Sequence, residues 1–386
     1  MANILINGLK SKVGGGKVIF DTYLRLLADS GPEDHYFILT PDRDAYSHYE
    51  SKKLTVIDVP SWAHSNLATV LLYRVIFPRL LSRHRIDAIL NFGDVVIPSN
   101  VPQIYNFDWP YAVYPDSEVW DRLRWQERLL FSVKQYFFEK YLSHATVVMA
   151  QTDAMKARLE GQYGLSNVVV VPPAVDIPVS DNLNWRFEAP DDAFKLIYPA
   201  NYYPHKNIEI LEEVAELLQA SGMRTVIMTT LNEDEHPAAK VFLGRCTAKE
   251  LDSAILNVGR IPEAAVAAFF RSADALLMPT LLETFGLPYA EAMFHGKPIL
   301  TSDRDFSRAV CGDAAIYFDP LNAKSIADAV IDLIGNKDLY RVLVKQGRER
   351  LSTMWSWRDV FNEYQRTISM IATTTWTTSP VIRNAG

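Results

Sequence analysis

Short apolar runs alternate with longer stretches whose apolar residues recur every three or four positions, and the rhythm runs the length of the 386 residues. The short runs predict strands at residues 3–7, 36–40, 54–59, 87–91, 102–106, 145–150 and 167–171, and a second series at 194–200, 225–229, 274–278 and 298–301 with one more that ends at 257–259. The stretches between them read as helices, for example 19–29, 122–142 and a last long one over about 324–370. Strands alternating with helices define an α/β chain. Between the two series, residues 177–192 are polar, proline-containing and aperiodic, as expected of a linker.

A chain of this length exceeds one typical core and suits two domains. The pattern divides it into 1–176, a linker at 177–192, a second domain at 193–350, a closing helix at 351–372 and a loose tail at 373–386.

One stretch carries the strongest chemical signal. Residues 279–298 read Pro-Thr-Leu-Leu-Glu-Thr-Phe-Gly-Leu-Pro-Tyr-Ala-Glu-Ala-Met-Phe-His-Gly-Lys-Pro, with a strand on either side. Pro288 suits a helix start, because it lacks an N–H that the first turn leaves unpaired anyway. Gly296 suits its end. Such a loop aims free amides and the positive end of a helix at an anion. A diphosphate would rest on the amides around Phe285, Gly286 and Leu287. Glu283 and Glu291, the latter placed in the first turn, would accept hydrogen bonds from hydroxyls on either side. A sugar nucleotide has that form: sugar, diphosphate, ribose.

The chain opens with a strand, then residues 8–17 containing Gly14-Gly15-Gly16, then a helix from Ile19. This is a Rossmann-like opening without the G-x-G-x-x-G fingerprint or a P-loop. Asp108 follows the strand at 102–106 and suits either a binding carboxylate or a loop cap. Two segments, 67–85 and 122–142, mix apolar residues with Arg and Lys. They suit a solvated basic face or a helix resting on an anionic membrane.

Net charge is −7, which argues against nucleic acid as a partner. The two cysteines, Cys246 and Cys311, make neither a disulfide framework nor a zinc site. No basic leader precedes the first strand and no apolar run reaches about 18 residues, so the expected location is cytoplasmic.

Glu283-(seven residues)-Glu291 resembles the E-x7-E signature of the GT4 family of retaining glycosyltransferases. The flanks Val258-Gly-Arg-Ile-Pro-Glu263, Ser272-Ala-Asp-Ala-Leu-Leu-Met-Pro279 and Gly312-Asp-Ala-Ala-Ile-Tyr-Phe-Asp-Pro320 are similar to the same family. The resemblance is strongest over 195–320. It implies the GT-B fold: two Rossmann-like domains facing each other across a cleft, with the closing helix returning to the first domain. It also implies a nucleotide-diphosphate sugar as co-substrate, no cofactor, no metal, and a glycan or lipid-linked acceptor.

By the same resemblance, Lys206 neutralises the diphosphate and Gly15 and Gly16 close over the phosphates. Arg260 and Ile261 border the base, and Glu283 and Glu291 hold the sugar and ribose hydroxyls. Many relatives glycosylate lipid-linked acceptors, which implies peripheral contact with the inner membrane face. The sequence departs from the family at two positions. Asn201 stands where relatives carry an arginine, and Phe107-Asp108 or Asn106 stands where they carry a His-Asp pair. Those departures also fit a non-catalytic binding or scaffold subunit. An epimerase on the same fold and a basic-helix membrane adaptor are further alternatives.

Overall fold

The computed structural model describes residues 1–373 except 13, 41, 58, 60–70, 176–184, 186, 188 and 235. Most of the expected linker at 177–192, the tail beyond 373 and the start of the 67–85 segment therefore lie outside the described residues.

Two parallel sheets form among the described residues. The first runs β3-β2-β1-β4-β5-β6-β7. Its strands are β1 (Asn3–Asn7), β2 (His35–Leu39), β3 (Leu54–Ile57), β4 (Ala88–Asn91), β5 (Gln103–Asn106), β6 (Val147–Ala150) and β7 (Val168–Val170). The second runs β10-β9-β8-β11-β12-β13. It comprises β8 (Phe194–Tyr198), β9 (Thr225–Thr229), β10 (Ile255–Asn257), β11 (Ala275–Met278), β12 (Ile299–Ser302) and β13 (Ala315–Phe318). Central strands such as Ile4-Leu5-Ile6 and Ala275-Leu276-Leu277-Met278 are buried along their length. That explains why their sequences read as continuous apolar runs: helices cover both faces of a parallel sheet.

Each sheet reverses its strand order once. In the first the reversal falls at β1, which pairs with β2 and with β4. In the second it falls at β8, which pairs with β9 and with β11. The chain leaves the two neighbouring strands in opposite directions there, opening a crevice at their carboxyl ends where ligands of such sheets bind.

The chain forms two compact units. One comprises Met1–Val113, Arg124–Pro173 and the chain from Trp355; the other comprises Tyr114–Leu123 and Ala174–Met354. The ten residues Tyr114–Leu123, expected in the first domain, thus pack with the second. Nothing in their local pattern marks this, because their partners are distant in sequence.

Two element boundaries also differ from expectation. The first helix is Gly14–Ser30, so the three glycines form its opening turn rather than a loop. Its buried stripe of Ile19, Phe20, Tyr23, Leu24 and Leu27 anchors the helix, and the glycines extend it backward. The stretch 324–370 is three helices: Ala323–Gly335, Lys337–Ser352 and Trp357–Thr373. Asn336 caps the second by accepting from the Leu339 amide at 2.9 Å. Ser356 and Asp359 cap the third reciprocally, at 2.9 and 3.2 Å.

The Trp357–Thr373 helix groups with the first sheet. Tyr364 is buried there, and its hydroxyl donates to Asn106 Oδ1 at 2.6 Å. Gln365 links Tyr23 and Tyr36, accepting from the Tyr36 hydroxyl and donating to that of Tyr23, each at 2.9 Å.

Candidate functional site

In the second unit, two loops leave the reversal point. After β8 the chain passes Asn201 and enters a tight turn, Pro204–Lys206. After β11 it runs through Pro279 and Thr280 to Glu283. The Lys206 ammonium and the Glu283 carboxylate form an ion pair, with only 16% and 12% of their side chains exposed. Thr280 Oγ1 lies 3.2 Å from Glu283 Oε1 and 3.1 Å from the His205 carbonyl. The Leu281 amide donates to that same carbonyl at 2.7 Å.

Asn207 tightens the arrangement. It adopts a left-handed conformation (φ 55°) that closes the Pro204–Lys206 turn, which Asn tolerates better than most residues. Its side-chain amide donates to the carbonyls of Pro279 and Pro320 at 3.0 and 2.7 Å. Tyr198, at the end of β8, donates its hydroxyl to the Lys206 carbonyl at 2.7 Å.

The helix of the E-x7-E stretch is Leu287–Phe294 and begins at Gly286. Gly286 has φ 82°, and a Cβ there would lie 2.7 Å from the Tyr289 ring. Only glycine fits. Tyr289 is fully buried and shares a hydrogen bond with Thr301 at 2.7 Å, so the ring cannot give way cheaply. In the first turn, Pro288 has no amide hydrogen and the Tyr289 amide donates to the Gly286 carbonyl at 3.0 Å, so the helix start offers the Leu287 amide and the positive end of its dipole.

Pro288 is the second residue of the helix rather than its first, so Glu291 falls in the second turn instead of the first. Burial pushes the Glu291 carboxyl up to about 7, and the nearby charge of Glu263 adds to the shift. Phe285 is buried in the core and Leu287 packs against it, so these two residues present backbone rather than side chains. Arg260 is exposed just after Gly259, and Ile261 packs against the core. Asn201 lies partly buried in the loop after β8. His205, beside Lys206, has its imidazole held well below the ordinary range, first by burial and then by the Lys206 charge.

In the first unit, a cavity of about 60 Å³ opens at the carboxyl ends of β1, β4 and β5. Lys10, Gly16, Asp94, Asp108 and Trp109 line it. Asp108 Oδ1 accepts from Gln151 Nε2 at 2.9 Å. A Cβ on Gly16 would lie 2.6 Å from Asp108 Oδ2. The absence of a side chain at Gly16 therefore lets this carboxylate approach the start of the first helix, and Gly15 is exposed beside it. Asp94 pairs with Lys134 at 3.1 Å, and the Lys134 ammonium lies 4.2 Å from the Trp109 ring centre. Burial pushes the Lys10 ammonium down, with Asp94 opposing. Asn106, weighed as an alternative to Asp108, is buried and committed to Tyr364.

The structure thus brings Lys206 to Glu283 and Asp108 to Gly16. Sequence reasoning missed Thr280, Asn207, Tyr198 and Gln151, which hold those groups. The run Pro204-His-Lys-Asn207, a proline-opened turn ending in a residue type that tolerates the left-handed region, is the sequence signal that could have pointed to Asn207. Arg308 forms a two-bond pair with Asp303 at 2.5 and 2.9 Å and covers the Tyr317 ring. Among the described residues no group of three or more His, Cys, Asp and Glu could hold a metal ion. Both cysteines are free and buried. No helix among the described residues is long and apolar enough to cross a membrane.

Comparison with known proteins agrees with this architecture. Residues 13–178 match the model of Glycosyltransferase Family 4, and residues 179–350 match that of Glycosyl transferases group 1. Together the two models span most of the chain, which belongs to the GT4-type glycosyltransferases of GT-B fold. A D-inositol 3-phosphate glycosyltransferase of Pseudarthrobacter chlorophenolicus is 26% identical over 199 residues, which is 48% of this chain and 46% of that one. The chain thus spans about half the length of the curated relatives it matches. Sucrose-phosphate synthase from Thermosynechococcus elongatus superimposes with a TM-score of 0.72 at 18% identity, covering 96% of this chain and 99% of that one. Anabaena HepE in complex with UDP and glucose does so with a TM-score of 0.68 at 14% identity, covering 96% and 100%.

Proposed function

We propose that the protein is a retaining, metal-independent glycosyltransferase that moves a sugar from a nucleotide diphosphate to a glycan or lipid-linked acceptor of the cell surface. The observation that carries this reading is the Lys206–Glu283 pair at the strand-order reversal of the second sheet, on the same edge as the start of the Leu287–Phe294 helix.

Lys206 and the amides around Phe285, Gly286 and Leu287 meet the diphosphate and stabilise it as charge builds on the leaving oxygen. Glu283 holds the sugar hydroxyls and Glu291 those of the ribose. Arg260 and Ile261 border the base, and Asn201 adds a neutral hydrogen bond. The bond from the anomeric carbon to the phosphate oxygen breaks, the bond to the acceptor oxygen forms on the same face, and the acceptor proton passes to the departing phosphate. In the first unit, Asp108 receives an acceptor hydroxyl beside Gly15 and Gly16. The UDP held by Anabaena HepE is the chemical precedent for the donor.

The acceptor surface extends to a membrane in this reading. On the Trp125–Leu142 helix, Trp125 (73%), Leu129 (59%), Val133 (45%) and Tyr136 (57%) are exposed along one stripe. Lys140 ends the stripe with its ammonium 5.5 Å from the Tyr136 ring centre. Apolar residues edged by cations suit the surface of an anionic inner membrane face, and the protein then works at the cytoplasmic side.

The deciding experiment is a thermal-shift screen against UDP, GDP, ADP and their sugar conjugates without added metal. Ligand at about 100 times its dissociation constant should stabilise by about 2.7 kcal/mol. A shift with one nucleotide diphosphate, followed by release of that diphosphate with an acceptor present, supports the reading. No shift in a cooperatively unfolding protein overturns it. That result favours a non-catalytic binding subunit, the reading suggested by the neutral Asn201.

A further inference from the structure

Residues Tyr114–Leu123 belong to the second unit, while the chain before and after them belongs to the first. They form a strap over loops that follow strands of the second sheet. Tyr114 donates its hydroxyl to Asp305 Oδ1 at 2.6 Å. Glu118 pairs with Arg304. Both partners follow β12. Trp120 Nε1 donates to the Tyr114 carbonyl at 2.9 Å and closes the strap on itself, over a fully buried Val119. At the far end, the Arg122 guanidinium donates to Asn207 Oδ1.

That last contact reaches the candidate donor site. Asn207 is 1% exposed, and its carboxamide is fully used. Its two N–H donors serve Pro279 and Pro320. Its oxygen serves Arg122. Asn207 follows Lys206 directly, and Pro279 precedes Glu283 by four positions. The carboxamide therefore sets the separation of the two loops whose tips are the paired ammonium and carboxylate. Without Arg122 the buried oxygen loses its donor. A buried amide with an unpaired acceptor reorients toward another partner, and its bonds to Pro279 and Pro320 weaken as it does.

We propose that Arg122 is a positioning residue of the donor site: by fixing the Asn207 carboxamide it holds Lys206 in register with Glu283. The strap thereby makes the leaving-group lysine depend on a segment whose two ends are joined, through the chain, to the other unit. The kinetic part of this inference rests on the glycosyl-transfer reading; the geometric part does not.

The test uses full-length protein and has two arms. In the first, Arg122→Ala lowers kcat about tenfold, or ~1.4 kcal/mol, while donor KM stays within about twofold. Arg122→Lys, which keeps a donor, recovers most of that loss. Adding Arg122→Ala to Lys206→Ala produces no further loss, because the effect passes through Lys206. Full additivity with Lys206→Ala would overturn the proposal. In the second arm, the crystal structure of Arg122→Ala shows the Asn207 amide turned from Pro279 and Lys206 parted from Glu283. An unchanged pair would overturn the proposal as well. Should the wild type transfer no sugar from any nucleotide, the glycosyltransferase reading falls and the crystal structure alone decides whether Arg122 positions Lys206.

Discussion

The Lys206 ammonium and the Glu283 carboxylate meet as an ion pair although 77 positions separate them, because the loops that carry them leave adjacent strands, β8 and β11, of one sheet. Little of either side chain is exposed, so solvent screens the pair weakly. The ammonium is already balanced by one carboxylate, so in the proposed function a diphosphate would share it rather than meet an isolated cation. Glu283→Ala is expected to lower turnover at least about 100-fold, the scale of losing a key electrostatic contact. Glu283→Gln, which leaves a hydrogen-bonding group of the same shape, separates loss of charge from loss of packing. Steady-state release of nucleotide diphosphate measures both, and near-wild-type activity in the alanine variant would count decisively against Glu283.

If Glu291 holds the ribose as proposed, nucleotide binding should depend on pH. Burial and Glu263 raise its carboxyl from an ordinary 4.5 to about 7 in the folded protein. In the proposed role the ionised form accepts hydrogen bonds from ribose hydroxyls, so affinity for the nucleotide should strengthen as pH rises from 6 to 8. Stability runs the other way. Between 4.5 and about 7 the folded state holds more proton than the unfolded state, so this group's contribution is present at low pH and is lost as pH rises through about 7. Calorimetric titrations and thermal melts across this range should show both slopes, and Glu291→Gln should flatten both.

Gly16 and Asp108 should behave as one unit. A methyl group on residue 16 would sit 2.6 Å from the Asp108 carboxylate and must displace it. Gly16→Ala and Asp108→Asn should each slow transfer to the acceptor, and the double variant should be no slower than the worse single one. Additive losses would separate the two residues.

The Tyr364 hydroxyl is a structural group. Tyr364→Phe removes the donor to buried Asn106 and should cost about 1–3 kcal/mol of stability, the penalty of an unpaired buried acceptor. Urea denaturation measures it. A change below about 0.5 kcal/mol would mean that Asn106 finds another donor.

The exposed stripe on the Trp125–Leu142 helix should bind vesicles containing anionic phospholipid and leave neutral phosphatidylcholine vesicles unbound at moderate salt. Replacing Trp125, Leu129 and Val133 together by Ser should abolish sedimentation with the anionic vesicles while the thermal midpoint stays within a few degrees, because these side chains face solvent. Equal vesicle binding by the variant would exclude this face.

Much of the architecture was legible in the sequence because parallel strands buried on both faces leave continuous apolar runs, and each sheet has several. The E-x7-E stretch was legible for a local reason: Gly286 and Pro288 set a loop and helix start whatever lies around them, and only glycine accepts φ 82° against the Tyr289 ring. Local pattern was less informative at boundaries. It read one helix over 324–370 where caps at Asn336 and Ser356 make three, and it took the opening glycines for a loop although the helix behind them draws them into its first turn.

The sequence by itself determined the elements, their alternation and the residue types able to bind a diphosphate and hydroxyls, because these follow from periodicity and local backbone chemistry. Only the tertiary structure decided which of them meet. The pairing of Lys206 with Glu283, the approach of Asp108 to Gly16, the hold of Arg122 on Asn207 and the burial that lifts Glu291 all depend on strand order, and strand order joins residues far apart in the chain that no local pattern relates.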